Sequence, residues 1–159
     1  MRIWRIADAA LAAGAGVAAA FGFPPNGIGW LTLAALAIFA WRLPGASPRR
    51  AASLAWLFAA AWHFSALSWV SEAFRVTFPD MGAISYLPVV GLAAGLALFW
   101  TLAVYLWRRF WPAADRGGAP AFLGLAAALG LGEWLMGHVF TGFPWALTAL
   151  AFAEDPMLA

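Results

Sequence analysis

The chain has 159 residues, of which 65% are hydrophobic, 16% aromatic and only 10% charged, with a formal net charge of +2. Its mean hydropathy of +0.83 lies far above that of a soluble domain and excludes one. A transmembrane helix uses about 20 apolar residues, so the length admits roughly five spans and leaves no room for a separate soluble domain. Cysteine is absent and all nine basic residues are arginine. Disulfides, a thiolate nucleophile, a cysteine-ligated metal and a Schiff-base lysine are thereby excluded. The arginines are scattered through apolar sequence and form no patch able to track phosphates, so nucleic acid is not an expected partner.

Arg2 and Arg5 precede an apolar run over 6–23, ended by the turn signal Pro24-Pro25-Asn26-Gly27; this is the first expected span. The run also has the look of a secretory signal with Ala18-Ala19-Ala20 as its cleavage site, but such signals introduce exported domains, and further hydrophobic segments follow here. Residues 28–43 make a short second span, closed by Pro44-Gly45-Ala46-Ser47-Pro48-Arg49-Arg50, which no helix would continue through. The third span is 51–74. After a loop holding Pro79 and Asp80, a fourth covers 83–107, with Pro88 near its start either tolerated or kinking it. Arg108 to Pro120 is the most polar stretch and reads as a loop. The fifth span is 121–141, and 142–159 is a break at Gly142-Phe143-Pro144-Trp145 followed by a weakly hydrophobic tail. The fold class is therefore all-α, a polytopic transmembrane helical bundle of about five spans. No fixed-period repeat is present, and Gly91 and Gly95, at i, i+4 spacing, suit close helix packing in lipid.

Taken by connection, the arginines alternate: two precede span one, none follow it, and three, one, three and none come after spans two to five. Eight of the nine then share one face, which the positive-inside rule assigns to the cytoplasm together with the N-terminus. The first loop, the Arg75–Gly82 loop and the 142–159 tail share the opposite face. Trp4, Trp41, Trp107 and Trp111 fall near the arginine-rich face and Trp30, Trp69 and Trp145 near the other, as aromatic belts do. Trp56, Trp62, Trp100 and Trp134 are expected deeper, between helices.

An ionisable side chain in hydrocarbon costs about 2.5 to 3.5 kcal/mol on insertion scales, so each needs a reason. His63, about 18 Å into span three, is expected as a neutral imidazole bonded to a neighbouring helix. Glu72 reaches the interface between Trp69 and Arg75, either paired with Arg75 or facing a lipid headgroup or peptide amine. Glu133 and His138 lie in span five, about 140° apart around the helix, and face different neighbours rather than chelating one metal ion. No phosphate loop, HExxH motif or nucleophile elbow occurs, and Ser65, Ser68, Ser71 and Ser85 have no triad partners in the sequence. What remains is a polar and aromatic cluster: Trp69, Glu72, Asp80, Glu133, His138 and the break at Phe143, Pro144 and Trp145. The break must be covered by protein or line a wet cavity; it is either an interfacial turn or a lipid-accessible mouth.

The stretch Gly132-Glu133-Trp134-Leu135-Met136-Gly137-His138-Val139-Phe140-Thr141-Gly142-Phe143-Pro144-Trp145 resembles the EWLRGxxxTGFPW segment of bacterial apolipoprotein N-acyltransferases. Phe21-Gly22-Phe23-Pro24-Pro25, Ser47-Pro48-Arg49-Arg50 and Ser68-Trp69-Val70-Ser71-Glu72-Ala73-Phe74 support it in the same order. The resemblance covers essentially the whole chain but about the first third of a family member, which continues into more helices and a nitrilase-like domain carrying a Glu-Lys-Cys triad. It implies N-acylation of the diacylglyceryl-cysteine of lipoproteins at the bacterial inner membrane, with a phospholipid acyl donor and the lipoprotein as partners and no cofactor. It also implies that this chain, lacking the triad, is inactive alone. Trp69, Glu72, Glu133, His138, Phe143, Pro144 and Trp145 are the candidate substrate- or lipid-binding residues, and Trp145 falls on the family's functionally implicated tryptophan. Met136 stands where the family usually has arginine, and Ala146 where some relatives have a polar residue. Competing expectations are a small non-catalytic membrane scaffold and a transporter using His63 and Glu133.

Overall fold

A computed structural model describes residues 2–111, 114 and 117–153, with side chains from Ile6 onward. The Trp4 side chain, Asp115 and Arg116 of the polar stretch and the tail beyond Ala153 lie outside what is described. Among those described there are helices and no strand: α1 (Arg2–Ala20), α2 (Gly29–Trp41), α3 (Pro48–Ala66), α4 (Val70–Thr77), α5 (Leu87–Phe110) and α6 (Gly118–His138), with short 3-10 segments at Pro79–Tyr86 and Thr148–Phe152. The all-α membrane bundle expected from composition is what forms.

All five expected segments are helical, but they differ in reach. Pro79–Phe110 and α6 are each long and apolar enough to cross a membrane, and α3 with α4 make a third such unit if their bent pair is one span. The apolar stretches Ile6–Ala20 and Gly29–Trp41 are shorter. At 1.5 Å per residue, α2 with its 13 residues extends about 20 Å, less than the hydrocarbon core of about 30 Å.

The third segment is the main departure from the sequence reading. Instead of a continuous helix over 51–74, α3 and α4 meet at 52° across Leu67-Ser68-Trp69. No proline or glycine marks this bend, and serine supplies the chemistry instead. Ser68 Oγ donates to the Ser65 carbonyl at 3.0 Å and Ser71 Oγ to the Ser68 carbonyl at 2.7 Å. These hydroxyls add bonds to carbonyls where the helix opens, the Ser68 carbonyl also receiving the Ser71 N–H at 3.1 Å. The start of α3 is conventional, with Pro48 in the first turn and Ser47 Oγ accepting from Arg50 N–H, a cap that satisfies an otherwise orphaned donor. Pro88 likewise sits in the first turn of α5, where it breaks no hydrogen bond and causes no kink.

The order of packing is α2, α1, α3, α5, α6, with α3 at the centre against both α1 and α5. Small side chains allow this closeness: Ala12, Ala15 and Ala19 of α1 and Ala51, Ala55 and Ala59 of α3 are all buried. In lipid such close contact, rather than exclusion of water, drives helix association. Gly16 marks the close approach of α1 to α3, because a Cβ there would collide with the Phe58 carbonyl. Aromatic rings fill the middle. Phe58 stacks on Phe39 at 4.7 Å and on Trp100 at 5.8 Å, and Trp62 meets Trp100 edge-on at 5.1 Å, the geometries that ring quadrupoles favour.

The expected interior position holds for Trp62 and Trp100, which are buried, but Trp56 and Trp134 are exposed on the bundle surface. His63 is buried as expected, yet its Nδ1 bonds the Ala59 carbonyl of its own helix at 2.7 Å rather than a neighbouring helix. Gly91 and Gly95 have open space around them and pack against nothing among the described residues.

At the arginine-rich end a group not singled out in the sequence organises three helices. Asp8 of α1, itself buried, pairs with Arg42 just after α2 and with Arg50 in the first turn of α3. Arg108, in the last turn of α5, donates to the Ala46 carbonyl through Nε at 3.0 Å and Nη2 at 2.5 Å. The two clusters draw α1, α2, α3 and α5 together.

Two outcomes follow from this packing. Gly16→Leu is expected to cost several kcal/mol and prevent a stable fold, whereas Gly14→Ala, with nothing within 4 Å, stays within about 1 kcal/mol of the parent. Thermal unfolding in detergent measures both, and equal effects would contradict the close α1–α3 approach. Asp8→Ala leaves two arginines facing each other and is expected to lower stability by about 1 kcal/mol, the partial exposure of both partners limiting the loss. An unchanged unfolding midpoint would show the cluster to be incidental.

Candidate functional site at the end opposite the arginine cluster

The seven candidate residues all lie toward the end away from Asp8, but they do not form one constellation. The break after α6 begins with Val139, which leaves helical geometry, and continues through Phe140 and Gly142, both at positive φ (58° and 69°). Gly142 sits against the Gly137 carbonyl so closely that a Cβ would collide with it, so both its conformation and its lack of side chain are required. Phe143 N–H then donates to the Met136 carbonyl at 2.9 Å, pinning the turn back onto the last turn of α6. Met136, at the position where arginine was expected by resemblance, is buried in the core.

The turn delivers Trp145 onto Trp69, the residue at the α3–α4 bend, with ring centroids 5.9 Å apart and tilted by 53°. The Phe143 ring lies 6.4 Å from that of Trp145. The two departures from helical backbone therefore meet through an aromatic corner of Trp69, Trp145 and Phe143, with Pro144 exposed between the latter two. Trp69 and Trp145 keep 56% and 54% of their surface exposed, so the corner is presented outward rather than closed over.

The three ionisable candidates stand apart from one another. Glu72 in α4 is exposed and pairs with Arg75 Nη1 at 2.9 Å, the pairing that its i, i+3 spacing allows. His138, the last residue of α6, bonds the Trp134 carbonyl through Nδ1 at 2.7 Å and stacks on the exposed Trp134 ring at 4.5 Å. Glu133 accepts from both the backbone N–H (3.1 Å) and the hydroxyl of Thr148. No group of three or more metal-ligating side chains occurs among the described residues.

Glu133 has a structural consequence that sequence reading missed. By holding Thr148 it seats the 3-10 strap Thr148–Phe152, whose Ala151 carbonyl and Phe152 ring lie against Gly29 at the start of α2. A depression of about 440 Å³ bordered by Pro25, Asn26, Trp30 and Phe152 lies beside that strap. Another of about 570 Å³ lies between Phe21, Asn26, Phe64, Ser68 and Tyr86. Thr148 carries no signal in the sequence beyond being a hydroxyl residue after the break, so its partnership with Glu133 was not legible. The serines Ser68, Ser71 and Ser85 are occupied by backbone carbonyls and serve the irregular backbone rather than a triad.

Fold and site together define a helical membrane bundle with an aromatic corner at one end. The family described as apolipoprotein N-acyltransferase N-terminal domain matches residues 15–159, and the chain belongs to that family. It is 34% identical over 153 residues to an apolipoprotein N-acyltransferase of Sinorhizobium medicae (strain WSM419), covering 90% of this chain and 28% of the relative. To the one from Caulobacter vibrioides (strain ATCC 19089 / CIP 103742 / CB 15) it is 41% identical over 141 residues, 87% of this chain and 26% of the relative. To that of Brucella suis biovar 1 (strain 1330) it is 33% identical over 165 residues, 98% of this chain and 30% of the relative. The chain thus spans less than a third of the length of these relatives.

The strap provides a direct test of Glu133. Glu133→Ala strands two donors of Thr148, and each buried unpaired group costs about 1–3 kcal/mol; exchange of the 148–152 amides is expected to speed up by about tenfold or more. Thr148→Val removes one of the two bonds and should give a smaller change. If exchange is unaltered in both variants, the carboxylate does not hold the strap.

Proposed function

We propose that this chain is the membrane region of an enzyme that transfers an acyl chain from a phospholipid to the α-amino group of a diacylglyceryl-cysteine lipoprotein. The observation that carries the reading is the family match over residues 15–159, a range that includes Trp145 and the 132–145 segment. The relatives bear the name of that activity over chains more than three times as long as the matched portion. The present chain therefore acts as the membrane platform, with the phospholipid donor and the lipoprotein as partners of the complete protein. Because it has no cysteine, it has no sulfur on which a thioester could form and is inactive by itself.

The alternation of arginines from one connection to the next in the sequence orients the end carrying Arg42, Arg50 and Arg108 toward the cytoplasm by the positive-inside rule. The corner of Trp69, Phe143, Pro144 and Trp145 then faces the periplasmic side of the bacterial inner membrane. Exposed indole rings belong at that depth, with an apolar body against acyl chains and an N–H toward the headgroups. There the corner guides acyl chains toward the transfer site, Glu133 fixes the strap beside it, and Glu72 and His138 border the approach.

The test is a fusion of this chain to the remaining part of the Sinorhizobium medicae relative, expressed in cells depleted of their own acyltransferase. The mass of the lipoprotein N-terminal lipopeptide is the readout. The fusion is expected to restore the N-acylated form and the 159-residue chain alone to leave it absent. Trp145→Ala in the fusion should lower acylation by about tenfold, the cost of misplacing a bound reactant, while Trp145→Phe keeps most of it. A fusion that accumulates in the membrane but never acylates, or a Trp145→Ala form as active as the parent, would overturn the proposal. Cysteine labelling at Pro144 from the cytoplasmic side alone would overturn the orientation.

A further inference from the structure

The segment that carries Trp145 is tied to α6 at both of its ends. Upstream, Phe143 N–H donates to the Met136 carbonyl at 2.9 Å. Downstream, Thr148 gives its N–H (3.1 Å) and its hydroxyl to one oxygen, Oε1 of Glu133. Met136 and Glu133 are less than one turn apart on the same helix, so residues 143–148 form a loop closed onto α6. Trp145 stands in the middle of that loop, between Pro144, whose ring fixes φ, and Ala146. Ala146 holds a left-handed conformation (φ 59°), which crowds a Cβ against the following carbonyl. Its side chain is buried and belongs to the hydrophobic core, which offsets that strain. Such strain persists only where the surroundings over-determine the conformation. Here it turns the chain directly after Trp145, whose ring is left half exposed beside Trp69.

The far end of the strap has a seat of its own, since a Cβ on Gly29 would collide with the Ala151 carbonyl and the Phe152 ring. Loss of the Glu133 bonds therefore frees only the end of the strap next to Trp145. No arginine pairs with Glu133 among the described residues; what the side chain offers its partner is an acceptor. We propose that Glu133 is a positioning residue for Trp145, acting through Thr148, and that it contributes an acceptor oxygen and not a negative charge. A glutamine oxygen, with two lone pairs, takes the same two bonds. The consequence for acylation rests on the acyl-transfer reading of Trp145, whereas the positioning itself does not.

The test has two arms. In the first, the 159-residue chain is made with 5-fluorotryptophan, and its fluorine resonances are assigned by single replacements such as Trp145→Phe. Glu133→Ala is expected to move and broaden the Trp145 resonance while those of the buried Trp62 and Trp100 stay in place. Thr148→Val, which keeps the N–H bond, should give a smaller displacement of the same sign, and Glu133→Gln should return the resonance to its parent position. A Trp145 resonance unmoved in Glu133→Ala, or displaced as far in Glu133→Gln, would overturn the proposal. In the second arm, the same variants are placed in the fusion to the Sinorhizobium medicae remainder and acylation is measured per accumulated protein. Glu133→Ala should lower it by about tenfold, as misplacement of a contact residue does, and Glu133→Gln should recover most of it. Because one residue acts through the other, Glu133→Ala combined with Trp145→Ala should be no worse than either alone. A loss of about a hundredfold in the double variant, or a Glu133→Gln form as impaired as Glu133→Ala, would show that Glu133 acts separately or by its charge. If the fluorine arm comes out as expected and neither Glu133→Ala nor Trp145→Ala alters acylation, the positioning stands and the acyl-transfer reading of the corner falls.

Discussion

Away from water, a peptide group that leaves the helical ladder keeps its hydrogen bond only if the protein supplies another partner. This requirement shapes both irregular regions of the bundle. At the α3–α4 bend backbone bonds from Val70, Ser71 and Glu72 to Leu67, Ser68 and Trp69 are joined by serine hydroxyls, Ser68 on Ser65 and Ser71 on Ser68. After α6 they are the Met136 carbonyl, which receives Phe143, and the Glu133 carboxylate, which receives Thr148. Because each break is satisfied locally, the chain can turn aside from the membrane normal and bring Trp69 and Trp145 into contact. The aromatic corner is thus a product of how two interruptions are repaired.

The two ends of the bundle are built differently. At one, ionic and charge-assisted bonds tie α1, α2, α3 and α5 through Asp8 and Arg108. At the other, a short strap held by Glu133 and exposed aromatic rings prevail. The aromatic stack of Phe39, Phe58, Trp62 and Trp100 between them is the rigid middle against which both ends are set.

The number and order of the helical segments were legible because apolar runs and Pro/Gly turn signals are local properties of sequence. The bend at Leu67-Ser68-Trp69 was not, since it carries none of the residues that ordinarily interrupt a helix and depends on serines that could equally have faced lipid. Trp134 was misplaced for a related reason: depth along a helix can be counted from the sequence, whereas the side that faces inward depends on the neighbours. The aromatic corner was partly readable, since Phe143, Pro144 and Trp145 stand out, but its pairing with Trp69 requires two distant breaks to converge. Glu133 was noticed as an ionisable group, yet its partner lies 15 residues on, beyond a turn whose path no local pattern dictates.

Asp8 precedes its partners Arg42 and Arg50 by 34 and 42 residues along the chain. Without them, the carboxylate is an isolated group near lipid, with the penalty that attends such a group. Both guanidinium groups come from the next helical hairpin, so neutralisation and the docking of α1 against α2 and α3 coincide. One carboxylate thereby fastens three helices at the arginine end, so that its charge is neutralised only where all three meet.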